Sequence, residues 1–212
     1  QTCALPIWVL VGDIGGGFGM KTAISPEEVV VAHAARVLRR VVRWRADRSE
    51  EFIAGTHGRA VSVKAELALD VAGKFIALRV RALADLGAYA SGAGAMVQSV
   101  LGPRVATGVY DVPNLDLRVE SVLTNTAPVA PYRGAGRSEN IFNLERLIDV
   151  AANQIGIDAI ELRTRNMIPS TAMPYRNAMG QIYDSGDFRN ILNKTLALAD
   201  WQGFDERHRL SL

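Results

Sequence analysis

Cysteine is almost missing from this sequence: Cys3 is the only one in 212 residues. A single thiol excludes an internal disulfide framework, a four-cysteine zinc site and an iron–sulfur cluster held by this chain alone. Histidine is nearly as scarce, and His33, His57 and His208 show no metal-ligand spacing. No Ser-His-Asp or Cys-His arrangement can be read. The formal net charge of +2 is too small to argue for nucleic acid or a membrane surface as partner. No apolar run reaches the roughly 18 residues of a membrane span, and no basic region precedes an apolar one as in a signal peptide. A cytoplasmic setting is therefore expected. What remains, 49% hydrophobic and 22% charged residues, is ordinary for a globular chain long enough for one large domain or two small ones.

What the chain does have is clustered glycine. Gly15-Gly16-Gly17-Phe18-Gly19 follows the apolar run Trp8–Val11, which reads as a buried strand. Pro131-Tyr132-Arg133-Gly134-Ala135-Gly136-Arg137 packs two glycines and two arginines into seven residues. Glycine admits a close backbone approach and positive φ, and arginine offers a planar fork of donors. Both clusters suit an anionic ligand, and we expect them to meet at one site. Phe18 within the glycines is either core or a pocket wall.

Around these clusters the pattern is that of an α+β protein, mixed sheets with flanking helices. Ser25-Pro26-Glu27-Glu28 opens a helix to about Arg40 with a capping box. Val41 to Ala46 reads as a strand and Asp47 to Ile53 as a short helix. Arg59–Val71 and Lys74–Leu83 form a hairpin turning at Ala72-Gly73, and Leu115 to Thr124 is another strand. Asp85 to Leu101 reads as an irregular loop. Helices follow at Glu139–Ile155, with Gly156 as cap, at Asp158–Met167 and at Asp187–Trp201, the stretch Pro169–Gly186 between the last two being loop. Glu145, Asp149, Glu161, Arg146 and Arg163 read as surface pairs. Residues 1–7 are expected to be a non-native extension, 8–204 a fragment of one domain, and 205–212 a truncated tail.

The glycine cluster has two competing explanations from its spacing. A phosphate-binding P-loop ends in Gly-Lys-Thr, but Met20 stands before Lys21-Thr22, and Pro26 would fall inside the helix that motif requires. A dinucleotide fingerprint needs a glycine spacing that is not present.

Six segments in order carry a resemblance. They are Gly15 to Lys21, Ala46-Asp47-Arg48-Ser49-Glu50-Glu51-Phe52, Tyr132 to Arg137, Glu145-Arg146-Leu147-Ile148-Asp149, Leu162 to Ile168 and Tyr183-Asp184-Ser185-Gly186-Asp187-Phe188. Together they resemble the molybdenum-binding large subunit of the xanthine dehydrogenase and aldehyde oxidoreductase family, from about Trp8 to Phe204. The subgroup most similar is the second-form, aerobic carbon monoxide dehydrogenase-like proteins. The resemblance implies part of the molybdopterin-binding domain of a hydroxylase that uses water as its oxygen source. It implies molybdopterin cytosine dinucleotide with molybdenum, approached by the Gly16-Gly17-Phe18-Gly19 loop and by Arg133 and Gly134. It also implies FAD and [2Fe-2S] centres on partner subunits, in a dimer of heterotrimers.

Departures from the family bear on substrate. Thr22 stands where purine-oxidising members carry a glutamate, Leu101 where they carry a substrate-binding arginine, and Ala135 where they carry a ring-stacking phenylalanine. Gly134 occupies the place of the copper-holding cysteine of carbon monoxide dehydrogenases. The resemblance thus implies a small aldehyde or N-heterocycle as substrate, bound near Thr22, Leu101 and Ala135. The family's base glutamate lies beyond Leu212, so this chain is not expected to catalyse alone. A non-catalytic scaffold homologue and a nucleotide-binding protein remain as alternatives, the second opposed by Met20 and Pro26.

Overall fold

Two runs of alternating apolar and polar residues, either side of the turn at Ala72-Gly73, frame the chain. A computed structural model describes residues 8–91 and 93–211. The first run is β1, Val61–Leu69, and the second is β2, Phe75–Asp85. They pair antiparallel, with Val61 opposite Ala84 and Leu67 opposite Leu78. The turn closes on Gly73 at φ 77° and on the Asp70 carboxylate, which accepts from the N–H groups of Ala72 and Lys74 at 2.8 Å each. Strand β3, Asn114–Val122, runs parallel to β2, which makes β2 central. A parallel neighbour needs a long crossover, and residues 86–113 provide it. Within that crossover a single turn α3, Gly94–Met96, leads into a π-turn, Val97–Leu101, where the sequence suggested only irregular loop.

One face of the sheet is covered by α4, Arg137–Ile155, and α5, Ala159–Asn166. The core joins Phe75, Leu78 and Val80 of β2 to Leu144, Ile148 and Ala151 of α4 and Leu162 of α5. As expected, Gly156 (φ 69°) ends α4, and the Asp158 carboxylate caps α5 by accepting from the Ile160 and Glu161 N–H groups at 2.9 Å each. Asn166 is buried, and every polar atom of its side chain is used. Its Nδ2 donates to the Gly73 and Leu162 carbonyls and its Oδ1 accepts from the Phe75 N–H. That pins α5 to the hairpin turn.

The reading of Arg163 as a surface partner is corrected. Its side chain is largely buried between α4 and α5, bonded to Glu145 and Asp149 at 2.8 Å each. Tyr110 donates its hydroxyl to the same Glu145 at 2.8 Å. Burial first, then the Glu145 charge, pushes the Tyr110 hydroxyl far above its ordinary pKa. This side of the molecule is structural.

Helices α1, Pro26–Leu38, and α2, Arg48–Ala54, both begin with the reciprocal capping box, Ser25 with Glu28 and Asp47 with Glu50. The apolar residues of α1, among them Val29, Val30, Val37 and Leu38, stay exposed. Trp8–Val11 and Val41–Ala46 are not strands but irregular and largely exposed segments. Among the described residues no neighbouring strand takes up their backbone donors and acceptors, and an unpaired backbone stays solvated. Pro169–Gly186 contains a small hairpin, β4 (Tyr175–Arg176) with β5 (Ile182–Tyr183), followed by α6, Phe188–Leu198. The last described stretch is a helix, α7, Phe204–Ser211. Trp201, Phe204 and His208 stack in series there, and Arg207 pairs with Asp200.

Candidate functional site

The glycine cluster is a loop in which Gly16 (φ 106°), Phe18 (φ 50°) and Gly19 (φ 101°) all have positive φ. An aromatic residue in that region is strained and persists only where its surroundings hold it. The loop curls under the Phe18 ring, since a Cβ on Gly16 would lie 2.7 Å from it. A Cβ on Gly19 would lie 2.5 Å from the Pro131 carbonyl oxygen, so only glycine lets the two backbones touch. The two clusters, far apart in sequence, adjoin at this point. Beyond the loop, Met20–Thr22 is a 3-10 turn and α1 begins only at Pro26, so the helix required by a P-loop is not formed at Lys21.

The arginine turn has three consecutive residues at positive φ: Gly134 (96°), Ala135 (47°) and Gly136 (84°). The Ala135 N–H donates to Tyr132 O at 2.6 Å and the Arg137 N–H to Gly134 O at 3.0 Å. Gly136 is the N-cap of α4 and offers no side-chain cap. A Cβ there would meet the Val97 carbonyl oxygen at 2.5 Å, and one on Gly102 would meet the Gly136 oxygen at 2.7 Å. The π-turn is thus pressed backbone to backbone against the arginine turn.

A third segment, which the sequence did not single out, holds this turn from the other side. The His57 N–H donates to Pro128 O at 3.0 Å and His57 O accepts from the Ala130 N–H at 2.9 Å. Gly58 lies beneath Tyr132, where a Cβ would be 2.8 Å from the tyrosine Cβ. Arg59 (φ 67°) donates from Nη2 to the Arg133 carbonyl and from Nη1 to Glu139 Oε1 at 3.2 Å. Its guanidinium sits 4.6 Å from the centre of the Tyr132 ring.

These segments enclose a cleft of about 450 Å³. Gly16, Gly17 and Phe18 line one wall, Pro131 and Tyr132 another, and Phe52 of α2 a third. Phe18 is therefore a pocket wall and not core; it is 56% exposed. Lys21, Arg48 and Arg59 border the cleft against one acid, Glu51, which pairs with Lys21 at 3.5 Å. The Thr56 hydroxyl in the wall is buried without a hydrogen-bond partner among the described residues. A second hollow of about 510 Å³ lies beside Arg45–Arg48 and touches neither glycine cluster.

Not every residue marked from the sequence is gathered here. Thr22 donates its hydroxyl back to Gly19 O at 2.8 Å and is absent from the cleft lining, as are Leu101 and Ala135, both half-buried. The Arg133 side chain is exposed, and neither Arg133 nor Gly134 lines the cleft. Their backbones matter more. Among the described residues the N–H groups of Gly16, Gly17, Phe18, Gly19, Arg133 and Gly134 donate to no protein acceptor. Nor, among those residues, does any group of three or more His, Cys, Asp or Glu come together to hold a metal ion. The donors on offer are backbone N–H groups and cations, which suit an anionic organic ligand.

The model for the molybdopterin cofactor-binding domain matches residues 6–167. The chain belongs to that family, as found in the large subunits of xanthine dehydrogenase and carbon monoxide dehydrogenase. It is 34% identical over 204 residues to the 6-hydroxypseudooxynicotine dehydrogenase complex subunit gamma of Paenarthrobacter nicotinovorans, covering 93% of this chain and 26% of that one. It is 37% identical over 191 residues to the carbon monoxide dehydrogenase large chain of Hydrogenophaga pseudoflava, covering 89% and 24%. Among solved structures, quinoline 2-oxidoreductase from Pseudomonas putida 86 superposes with a TM-score of 0.87 at 35% identity, covering 94% of this chain and 25% of that one. This molybdopterin-domain chain thus spans about a quarter of the length of the relatives it matches.

Proposed function

We propose that this chain is the part of a molybdenum hydroxylase large subunit that holds the metal-bearing end of a molybdopterin cofactor. The observation carrying this reading is the cleft lined by Gly16, Gly17 and Phe18 of one cluster and by Pro131 and Tyr132 of the other, next to backbone N–H groups of Gly16 to Gly19, Arg133 and Gly134 that meet no protein acceptor among the described residues. The residues fit the group. Gly16, Gly17, Phe18 and Gly19 on one side and Arg133 and Gly134 on the other offer N–H donors, with a cationic border and an aromatic wall. When bound, the cofactor supplies the two-electron chemistry that lets water serve as oxygen source. The chain's own part would be to hold the cofactor with fixed backbone N–H donors and to shield it from water with Phe18 and Tyr132.

The finer reading is a molybdopterin cytosine dinucleotide, with FAD and [2Fe-2S] centres on partner subunits, in a cytoplasmic dimer of heterotrimers. The substrate is a small aldehyde or N-heterocycle entering near Thr22, Leu101 and Ala135. The quinoline and nicotine-related names of the relatives favour the N-heterocycle. The general base is supplied by a glutamate outside this chain.

The test is Gly134→Val in the full-length protein expressed with its partner subunits. Gly134 sits at φ 96°, and a Cβ would lie 2.6 Å from Ser138 Oγ, so valine distorts the turn. Molybdenum content and turnover should fall together, by about tenfold or more, while the core keeps its unfolding midpoint. Wild-type molybdenum content would remove the turn from the cofactor. The isolated 212-residue chain should show no turnover with any substrate.

A further inference from the structure

We infer that Arg59 is a positioning residue of this site: it fixes the direction in which the Gly134 N–H points. The inference rests on the reading of the arginine turn as part of the cofactor site. A peptide unit is planar and trans, so the carbonyl of one residue and the N–H of the next point in opposite directions. The Arg133 carbonyl and the Gly134 N–H belong to one such unit. Arg59 Nη2 grips that carbonyl, and this holds the Gly134 N–H on the opposite side, where it meets no protein acceptor among the described residues.

Without the grip this unit has little to hold it. Rotation of the 133–134 peptide changes ψ of Arg133 and φ of Gly134, and the glycine, already at φ 96°, sets little steric resistance to it. The turn's own hydrogen bonds, Ala135 N–H to Tyr132 O and Arg137 N–H to Gly134 O, use neither atom of that peptide.

Arg59 is itself held from three directions. Glu139 Oε1, in the first turn of α4, takes its Nη1 at 3.2 Å. The Arg59 guanidinium carbon lies over the Tyr132 ring, 4.6 Å from the ring centre. The His57–Ala130 and His57–Pro128 bonds tie its segment to the strand-like stretch leading into the turn. The fork geometry of arginine meets the carbonyl, carboxylate and ring together; a lysine ammonium has the charge but not the planar fork. The strained backbone at Arg59, φ 67°, is the kind of conformation retained where the surroundings over-determine it.

The experiment uses the full-length protein in its subunit complex, as wild type, Arg59→Met and Arg59→Lys. Amide hydrogen exchange over residues 131–136, in protein freed of cofactor, reads the grip by itself. The Mo(V) electron paramagnetic resonance spectrum and kcat per bound molybdenum read its effect on the site. In Arg59→Met the turn's exchange should accelerate on the order of tenfold. The Mo(V) signal should shift, and kcat should fall about tenfold to a hundredfold with KM changed less. Arg59→Lys should recover part of each. If Arg59→Met does not accumulate folded, Arg59→Lys carries the same comparisons, with smaller effects of the same sign. Unchanged exchange in the turn would overturn the grip. Faster exchange with an unaltered spectrum and kcat would leave the grip standing, but would separate the turn from the cofactor and so overturn the functional reading.

Discussion

Gly19 shows how much can rest on one missing side chain. Its α-carbon lies against the Pro131 carbonyl at φ 101°, and nothing but hydrogen fits there. Gly19→Ala should therefore part the glycine loop from the arginine turn. Because this contact lies outside the apolar core, the unfolding midpoint should hardly move, while molybdenum content of the full-length protein should drop several-fold on metal analysis. At this scale the sequence is readable where the partners are near in the chain. Ser25 and Asp158 act as caps on N–H groups two or three residues away, and the spacing of their neighbours shows it. Arg59 was not readable, because its partners Arg133 and Glu139 lie 74 and 80 residues downstream. Arg163 was misread for the same reason: Glu145 is 18 residues away, on another helix.

Among the elements, α4 carries both the core and the site. Ile148 on its inner face is fully buried among Phe75, Leu78 and Leu162. Ile148→Ala should lower stability by about 2–5 kcal/mol in urea titration. At the end of β2 the crossover starts at Asp85, whose carboxylate accepts from the Thr124 hydroxyl and the Gly87 N–H at 2.7 Å each and from Thr126 at 3.2 Å. These bonds, Thr124 first, hold its pKa below the usual carboxylate value of about 4. A depressed folded pKa means stability that is present above the unfolded value and lost as pH falls through the folded one. Unfolding midpoints measured from neutral pH down to about pH 3 should fall less steeply in Asp85→Asn, which has no such proton to take up. The elements themselves were largely visible beforehand. The hairpin followed from period-two alternation, and α4 from its apolar stripe and closing glycine. The strands expected at Trp8–Val11 and Val41–Ala46 failed because an apolar run does not say whether a partner strand exists to pair with it.

Across the whole molecule, exposed charge and exposed apolar surface gather in different segments. On the sheet, Glu66, Arg79, Asp116 and Arg81 form a ladder of exposed ion pairs across all three strands. Near the glycine loop the surface is greasy: Trp8, Val9 and Leu10 are more than four-fifths exposed, and Val30 of α1 is 65% exposed. Exposed apolar surface of that extent drives association. The isolated chain should elute as multimers in size-exclusion chromatography and bind a hydrophobic dye, and Val30→Lys with Val37→Glu should reduce both. The mixed sheet was expected, but the parallel placing of β3 beside β2 was not, because alternation reports which face is buried and carries no direction. That parallel pairing dictates an order of assembly. The antiparallel pair can zip up at once, whereas the third strand must wait until residues 86–113 have been threaded across, a closure that chain entropy makes slow. The π-turn that braces the arginine turn rides on that late-arriving segment. Only the hairpin can therefore stand early; the third strand and the brace behind the arginine turn arrive together.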